Sequence, residues 1–153
     1  MKSTDPTLDV TPLAADDRAR WEVLARGYKT FYKTTLPDAD YERAWQRLLH
    51  AESVHGLGAR VDGRLVGIAH YLFHPSVWSS DVCYLQDLFV EVSMRGKGVA
   101  RALIERVADV AATRGAARFY WLTAADNAVA RTLYDKIGQH KGFIRYDHPL
   151  GWR

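Results

Sequence analysis

Residues 84–102 read YLQDLFVEVSMRGKGVARA, and three patterns follow one another along them. Residues 84–90 are a dense run of aromatic and branched apolar side chains, which reads as a buried strand. Arg95-Gly96-Lys97-Gly98-Val99-Ala100 is a basic turn carrying two glycines. Beyond it, Ala100, Leu103, Ile104, Val107 and Ala111 recur at the spacing of one helix face. A strand that bends through glycines into a helix N-terminus makes an anion site. Backbone N–H groups converge on a phosphate there, and the positive end of the helix dipole adds to them.

Upstream, residues 1–7 read as a short flexible start and residues 8–13 as an edge strand with Pro12 inside it. Trp21, Leu24, Ala25, Tyr28 and Phe31 share one helical face, with Asp16 and Asp17 at its N-terminus and Gly27 weakening its middle. Pro37 interrupts, and a second helix from Asp38 carries Tyr41, Ala44, Trp45, Leu48 and Leu49. The period then shifts to two. Residues 55–61 and 64–73 flank Asp62-Gly63, a strong hairpin signal. Downstream, the long helix stops at Gly115, and residues 118–123 form a strand. A last helix follows Asp126-Asn127 with Ala130, Leu133, Tyr134 and Ile137 on one face, and residues 143–147 read as a final strand. The fold class is α/β with a mixed sheet, and the strands on either side of the long helix should run parallel.

At 153 residues, 48% apolar and 25% charged, the chain reads as one ordinary globular domain, residues 8–150 being its folded part. No apolar run is long enough to span a bilayer, and the first residues lack the apolar stretch of a secretory signal, so the cytoplasm is expected. One cysteine excludes a disulfide framework. The histidines show no metal-ligand spacing, so no metal is expected. A net charge of +3 is spread through both halves, without a basic stripe for nucleic acid.

Three phosphate-binding loops compete for the glycine turn. The G-x-x-x-x-G-K-[ST] string is absent. A dinucleotide fingerprint needs a small residue where Arg101 stands. The third, R-G-K-G-x-A after a buried strand, resembles the pyrophosphate loop of the GNAT (Gcn5-related N-acetyltransferase) superfamily. The resemblance extends to residues 84–90 as that family's fourth strand, to Asn127, Ala130 and Tyr134 on its later helix, and to Gly142-Phe143-Ile144 at its final strand. Within the family, YLQDLFV and GFIRYDHPL look most like the diamine acetyltransferases and the fungal histone and D-amino-acid acetyltransferases.

That resemblance implies a central mixed sheet of six to seven strands with about four helices, and an acetyl-CoA-dependent N-acetyltransferase acting by direct attack in a ternary complex. It implies that Arg95, Gly96, Lys97, Gly98, Val99, Ala100 and Arg101 hold the pyrophosphate. The main chain of Leu88, Phe89 and Val90 would hold pantetheine beside a bulge that splays the fourth strand from the fifth. Asn127 and Ala130 would touch the cofactor, and Tyr134 would protonate the departing thiolate. Gln86 stands where diamine acetyltransferases carry Glu and cannot accept a proton, leaving Asp87, with Glu91 nearby, beside the amine. The acceptor is a small-molecule or peptide amine, with a small amine, polyamine or amino acid favoured. A protein lysine or N-terminal acetyltransferase and a non-catalytic acyl-CoA sensor are the alternatives. A homodimer is expected by analogy with relatives that pair through their last strands.

Plainer readings stand beside these. Tyr134 shares its spacing with core positions, and Gln86 and Asp87 would serve equally well as a structural hydrogen-bonding pair. Cys83 reads as a small buried strand residue. His70 and His74, on the strand after the hairpin, are candidates to line the acceptor site, with an ordinary surface or half-buried role as the plainer reading. Phe31, Tyr32 and Trp78 are candidate walls of an amine pocket.

Overall fold

The computed structural model describes residues 7–151; residues 1–6, read above as a flexible start, lie outside them. The elements run β1 (Leu8–Pro12), α1 (Arg18–Phe31), α2 (Asp38–His50), β2 (His55–Val61), β3 (Arg64–His74), β4 (Val82–Val90), α3 (Val99–Thr113), β5 (Arg118–Trp121) and α4 (Ala128–Ile137). Short 3-10 turns at Ala15–Asp17 and Val92–Met94 lead into α1 and into the glycine turn. The chain divides into two compact units after Leu122.

The first unit is a five-stranded mixed sheet in the order β1-β2-β3-β4-β5 with three helices. The first three pairings are antiparallel, and β4 runs parallel to β5 across the α3 crossover. Strand β3 is buried over the unbroken run of residues 65–69, so it is covered on both faces. Leu65, Ile68, Val82, Leu85 and Val90 are buried from the strands, and Leu103, Ile104, Val107 and Ala111 from α3. Trp21 and Leu24 of α1 pack with Tyr41, Trp45 and Leu48 of α2, the two tryptophan rings lying 5.0 Å apart. The Asp62-Gly63 hairpin forms with φ of +50° and +82°, the paired positive angles of its turn type.

A buried ion pair fixes the entry to α1. Both guanidinium nitrogens Nη1 and Nη2 of Arg60 donate to the Asp17 carboxylate at 2.7 Å, and the Ala14 N–H donates to the same group. The hydrogen bonds from Arg60, outweighing burial, hold the Asp17 pKa below its ordinary value.

The second unit holds α4 and the segment after it. Residues 139–150 have no regular secondary structure, so the expected strand at 143–147 is not formed, and the described sheet has five strands rather than six or seven. Strand propensity measures fitness for a pleated, half-covered surface. Phe143 and Tyr146 are 86% and 85% exposed, so this segment has no such surface within its own unit. No helix among the described residues is long and apolar enough to cross a membrane.

Candidate active site

The strand–turn–helix junction forms as its sequence implies. After β4 the 3-10 turn leads to Arg95 in extended conformation, then Gly96 and Gly98 at φ +76° and +82° flank Lys97. A Cβ at either glycine would meet nothing within 4 Å, so conformation rather than space demands glycine there. Gly98 caps α3 without a side-chain hydrogen bond. The first helical bond is the Ala102 N–H to the Gly98 carbonyl. The amides of Val99, Ala100 and Arg101 therefore lack an intrahelical acceptor and are free for an anion. The three cations behave differently from one another. Arg101 is tied to Glu105 at 2.8 Å, whereas Arg95 folds back, donating to the Val90 carbonyl and lying over the rings of Phe31 and Phe89.

Strand β4 loses one of its two partners midway. Its pairing with β5 runs from Val82 to Leu85 and ends there. On the β3 side, Tyr71 opposes Leu85 and His70 opposes Asp87, so Gln86 is the extra residue of a bulge. From Gln86 to Val90 the edge turned away from β3 has no strand partner among the described residues. The ladder register turns the main-chain groups of Leu88 and Val90 onto this open edge and those of Phe89 toward β3, and the Val90 carbonyl already accepts from Arg95.

The bulge puts two neighbouring strand residues on one cavity. Gln86 and Asp87 both line a space of about 400 Å³ bounded by Trp21 and Tyr28 of α1, the α2 face and His70 of β3. His70 connects two of these groups. The Trp21 indole Nε1–H donates to His70 Nε2 at 2.9 Å, and His70 Nδ1 lies 2.9 Å from Asp87 Oδ2. An indole N–H only donates, so Nε2 is the acceptor and the imidazole proton sits on Nδ1, aimed at the carboxylate. Burial pushes the Asp87 carboxyl up, but the hydrogen bond from His70, with Tyr28 and Lys29 adding to it, leaves its pKa below the ordinary 3.8. Burial, followed by the Asp87 charge, pushes the Tyr28 phenol up, so Tyr28 stays a donor. Asp87 is thus a half-buried anion held by neutral donors, with lone pairs to spare.

Other candidates resolve by their contacts. Glu91 is bound by both Arg64 guanidinium nitrogens at 3.0 and 2.7 Å and approached by Arg20 at 3.4 Å, so its charge is spent. A second depression of about 470 Å³ between β1 and β3 is lined by Arg20, Arg60 and Arg64, all already engaged with Glu91 or Asp17. Burial pushes the Cys83 thiol up to about 11, so it is no thiolate at neutral pH. Phe31, Tyr32 and Trp78 do not line the cavity, and Trp78 is 94% exposed on its loop. Of the histidines, His74 binds the Pro75 carbonyl and the Tyr120 hydroxyl. Among the described residues no cluster of His, Cys, Asp or Glu is arranged to hold a metal.

In the second unit, Asn127 caps α4. Its Oδ1 accepts from the Ala130 N–H at 3.3 Å, and its Nδ2 donates to the Thr123 hydroxyl. Ala130 and Tyr134 follow four residues apart on one face, and Tyr134 is half-buried.

A mixed sheet whose fourth strand parts from its fifth, followed by a glycine turn at a helix N-terminus, is the architecture of the N-acetyltransferases. A model described as the acetyltransferase (GNAT) family matches residues 21–139, and the chain belongs to that family. It is 31% identical over 150 residues to the D-amino-acid N-acetyltransferase HPA3 of Saccharomyces cerevisiae, covering 95% of this chain and 92% of that one. Against the thialysine N-epsilon-acetyltransferase of Mus musculus it is 29% identical over 120 residues, 78% of this chain and 71% of the other. An aminoglycoside N-acetyltransferase solved in complex with CoA shares the fold at a TM-score of 0.78, with 20% identity over 100% of this chain and 98% of that one. The chain is an N-acetyltransferase of the GNAT type.

Proposed function

We propose that this enzyme moves an acetyl group from acetyl-CoA directly to the primary amine of a small acceptor, a polyamine or an amino acid, seated in the cavity above Gln86 and Asp87. The observation that carries the reading is that cavity's position. An ionised, half-buried Asp87 lies on the bulge where β4 leaves β5, on the strand that leads into the glycine turn.

The residues present fit the co-substrate. The amides of the glycine turn and of Val99, Ala100 and Arg101 take the pyrophosphate, with Lys97 adding charge and the open edge at Leu88 and Val90 receiving the pantetheine amides. Bound there, acetyl-CoA supplies an activated acyl thioester. Asp87 holds the acceptor's ammonium through a charge-assisted hydrogen bond, and His70, locked by Trp21, fixes that carboxylate in place. A carboxylate below the ordinary aspartate range is a weak proton acceptor, so Asp87 anchors the amine and water removes its proton. Gln86, an amide on the same wall, orients the acceptor without titrating. Tyr134 donates the proton to the departing thiolate, and Asn127 with Ala130 sets the start of the helix that carries it. The exposed apolar side chains Phe143, Ile144, Tyr146 and Leu150 support a homodimer built through this tail.

The names of the relatives agree with an amine or amino acid acceptor, and the solved CoA complex agrees with the co-substrate. The test follows free thiol while the protein is incubated with acetyl-CoA and a panel of amines. Saturable thiol release with small amines and acetylated product by mass are expected. No thiol release with any acceptor, together with no CoA binding by calorimetry, overturns the reading.

A further inference from the structure

We infer that the acceptor carries a carboxylate as well as an amine, and that Lys29, Arg43 and Arg47 recognise it; this rests on the acceptor cavity assigned above. The charges lining that cavity are unevenly placed. On the sheet side stand Asp87 and the neutral His70 and Gln86. On the helix side, α2 presents Asp40, Arg43, Ala44 and Arg47, positions three and four apart that share one face, and α1 contributes Lys29.

The two carboxylates do not balance the three cations. Asp40 is consumed locally by its ion pair with Arg43. Arg47 makes no side-chain hydrogen bond or ion pair with the described residues, whereas the arginines of α1 and of the β2–β3 hairpin, Arg18, Arg20, Arg26, Arg60 and Arg64, each contact a carboxylate. Lys29 lies over the Tyr28 ring and adds to the field at Asp87 without closing an ion pair with it. A partnerless guanidinium, a lysine and a half-committed arginine on one wall face a single ionised carboxylate on the other.

That layout discriminates between the two acceptor classes the site admits. A polyamine brings a second ammonium toward the α2 wall, where it meets like charge. A zwitterion places its ammonium on Asp87 and its carboxylate among the α2 cations, satisfying both ends. Arginine suits the task, since its planar fork matches a carboxylate in two-point fashion.

The test compares matched acceptors with the intact enzyme and acetyl-CoA. The pairs are lysine with cadaverine and phenylalanine with phenethylamine, each amino acid in both stereochemical forms. A hydrogen bond to a charged group predicts that kcat/KM favours the carboxylated member by roughly 10–100-fold, chiefly through KM. Arg47→Ala should shrink that preference by about tenfold, and Arg47→Lys should restore much of it because the charge returns. Equal or better turnover of cadaverine and phenethylamine overturns the inference and leaves the acetyltransferase reading standing. A preference that Arg47→Ala and Lys29→Ala both leave unchanged also overturns it. Absence of thiol release with every amine, together with no CoA binding, overturns both.

Discussion

The glycine turn and the acceptor cavity handle charge in opposite ways. At the turn the useful groups are main-chain amides, presented by two left-handed glycines and an uncapped helix start. Two of the three cations there are turned to other partners, Arg101 to Glu105 and Arg95 to the Val90 carbonyl and two aromatic rings. In the cavity the useful groups are side chains, and the anion is held through a relay: Trp21 orients His70, and His70 holds Asp87. Main-chain recognition depends on backbone angles and tolerates side-chain change. Side-chain recognition depends on a relay that fails if one member is altered.

Amides can grip a phosphate, but they cannot give up a proton to a thiolate, so the largest effect is expected at a side chain. Tyr134→Phe should lower kcat by about 10²–10⁴-fold, the usual span for losing a general acid. The CoA dissociation constant, by calorimetry, should hold. An unchanged kcat would remove Tyr134 from the chemistry.

The next contrast lies within the turn. Gly98→Val forces a β-branched residue to φ +82°, a strain of about 1–3 kcal/mol that refolds the loop or weakens its grip. The CoA dissociation constant should rise by roughly 10–100-fold. Lys97→Ala, which removes only an exposed charge, should shift it about two- to fivefold and less at high salt. Equal effects from the two variants would show that the turn works by charge rather than by main-chain shape.

In the cavity, Asp87→Asn keeps the shape and removes the anion. The acceptor KM should rise by about 10–50-fold with CoA affinity intact, the loss of one charge-assisted hydrogen bond. The pH profile gives a second reading. The folded-state pKa of Asp87 is depressed below 3.8, so its anchor is fully present across neutral pH and fades only as pH falls through that depressed value. Acceptor KM should therefore show no titration from Asp87 near neutrality. An Asp87-dependent inflection close to pH 6 or 7 would make this residue a base after all.

Much of the turn was legible in the sequence because its information is local. Glycines, a preceding apolar run and a following helical period lie within twenty residues, and the structure reproduces them in order. The helix faces were legible for the same reason: Trp21, Leu24, Trp45, Leu103 and Val107 are buried where periodicity puts them. The cavity was far less so. Asp87 and Gln86 were visible as polar residues in an apolar strand, but His70 reaches Asp87 only through the register of β3 on β4, and a one-residue bulge decides that register. Trp21 and Tyr28 looked like ordinary stripe residues. Phe31, Tyr32 and Trp78, chosen for being aromatic, stay outside the cavity. The strand expected at 143–147 was misread because propensity does not supply a neighbouring strand.

Where the two regions meet, Gly27 offers the smallest and most diagnostic change. Its helix passes through it without a break, and an added Cβ would lie 2.9 Å from the Phe89 ring tip. That ring also packs against Tyr28, in the acceptor wall, and under Arg95, at the head of the glycine turn. Gly27→Ala gains about 1 kcal/mol of helix propensity and loses a comparable amount to the close contact, so the melting temperature should move little. The ring must shift by a few tenths of an ångström, and both neighbours must follow. Acceptor KM should change about two- to fourfold, an amount typical of small packing shifts beside a binding wall. If CoA affinity moves with it, Phe89 links the main-chain site to the side-chain site; if acceptor KM moves alone, the two regions are energetically separate.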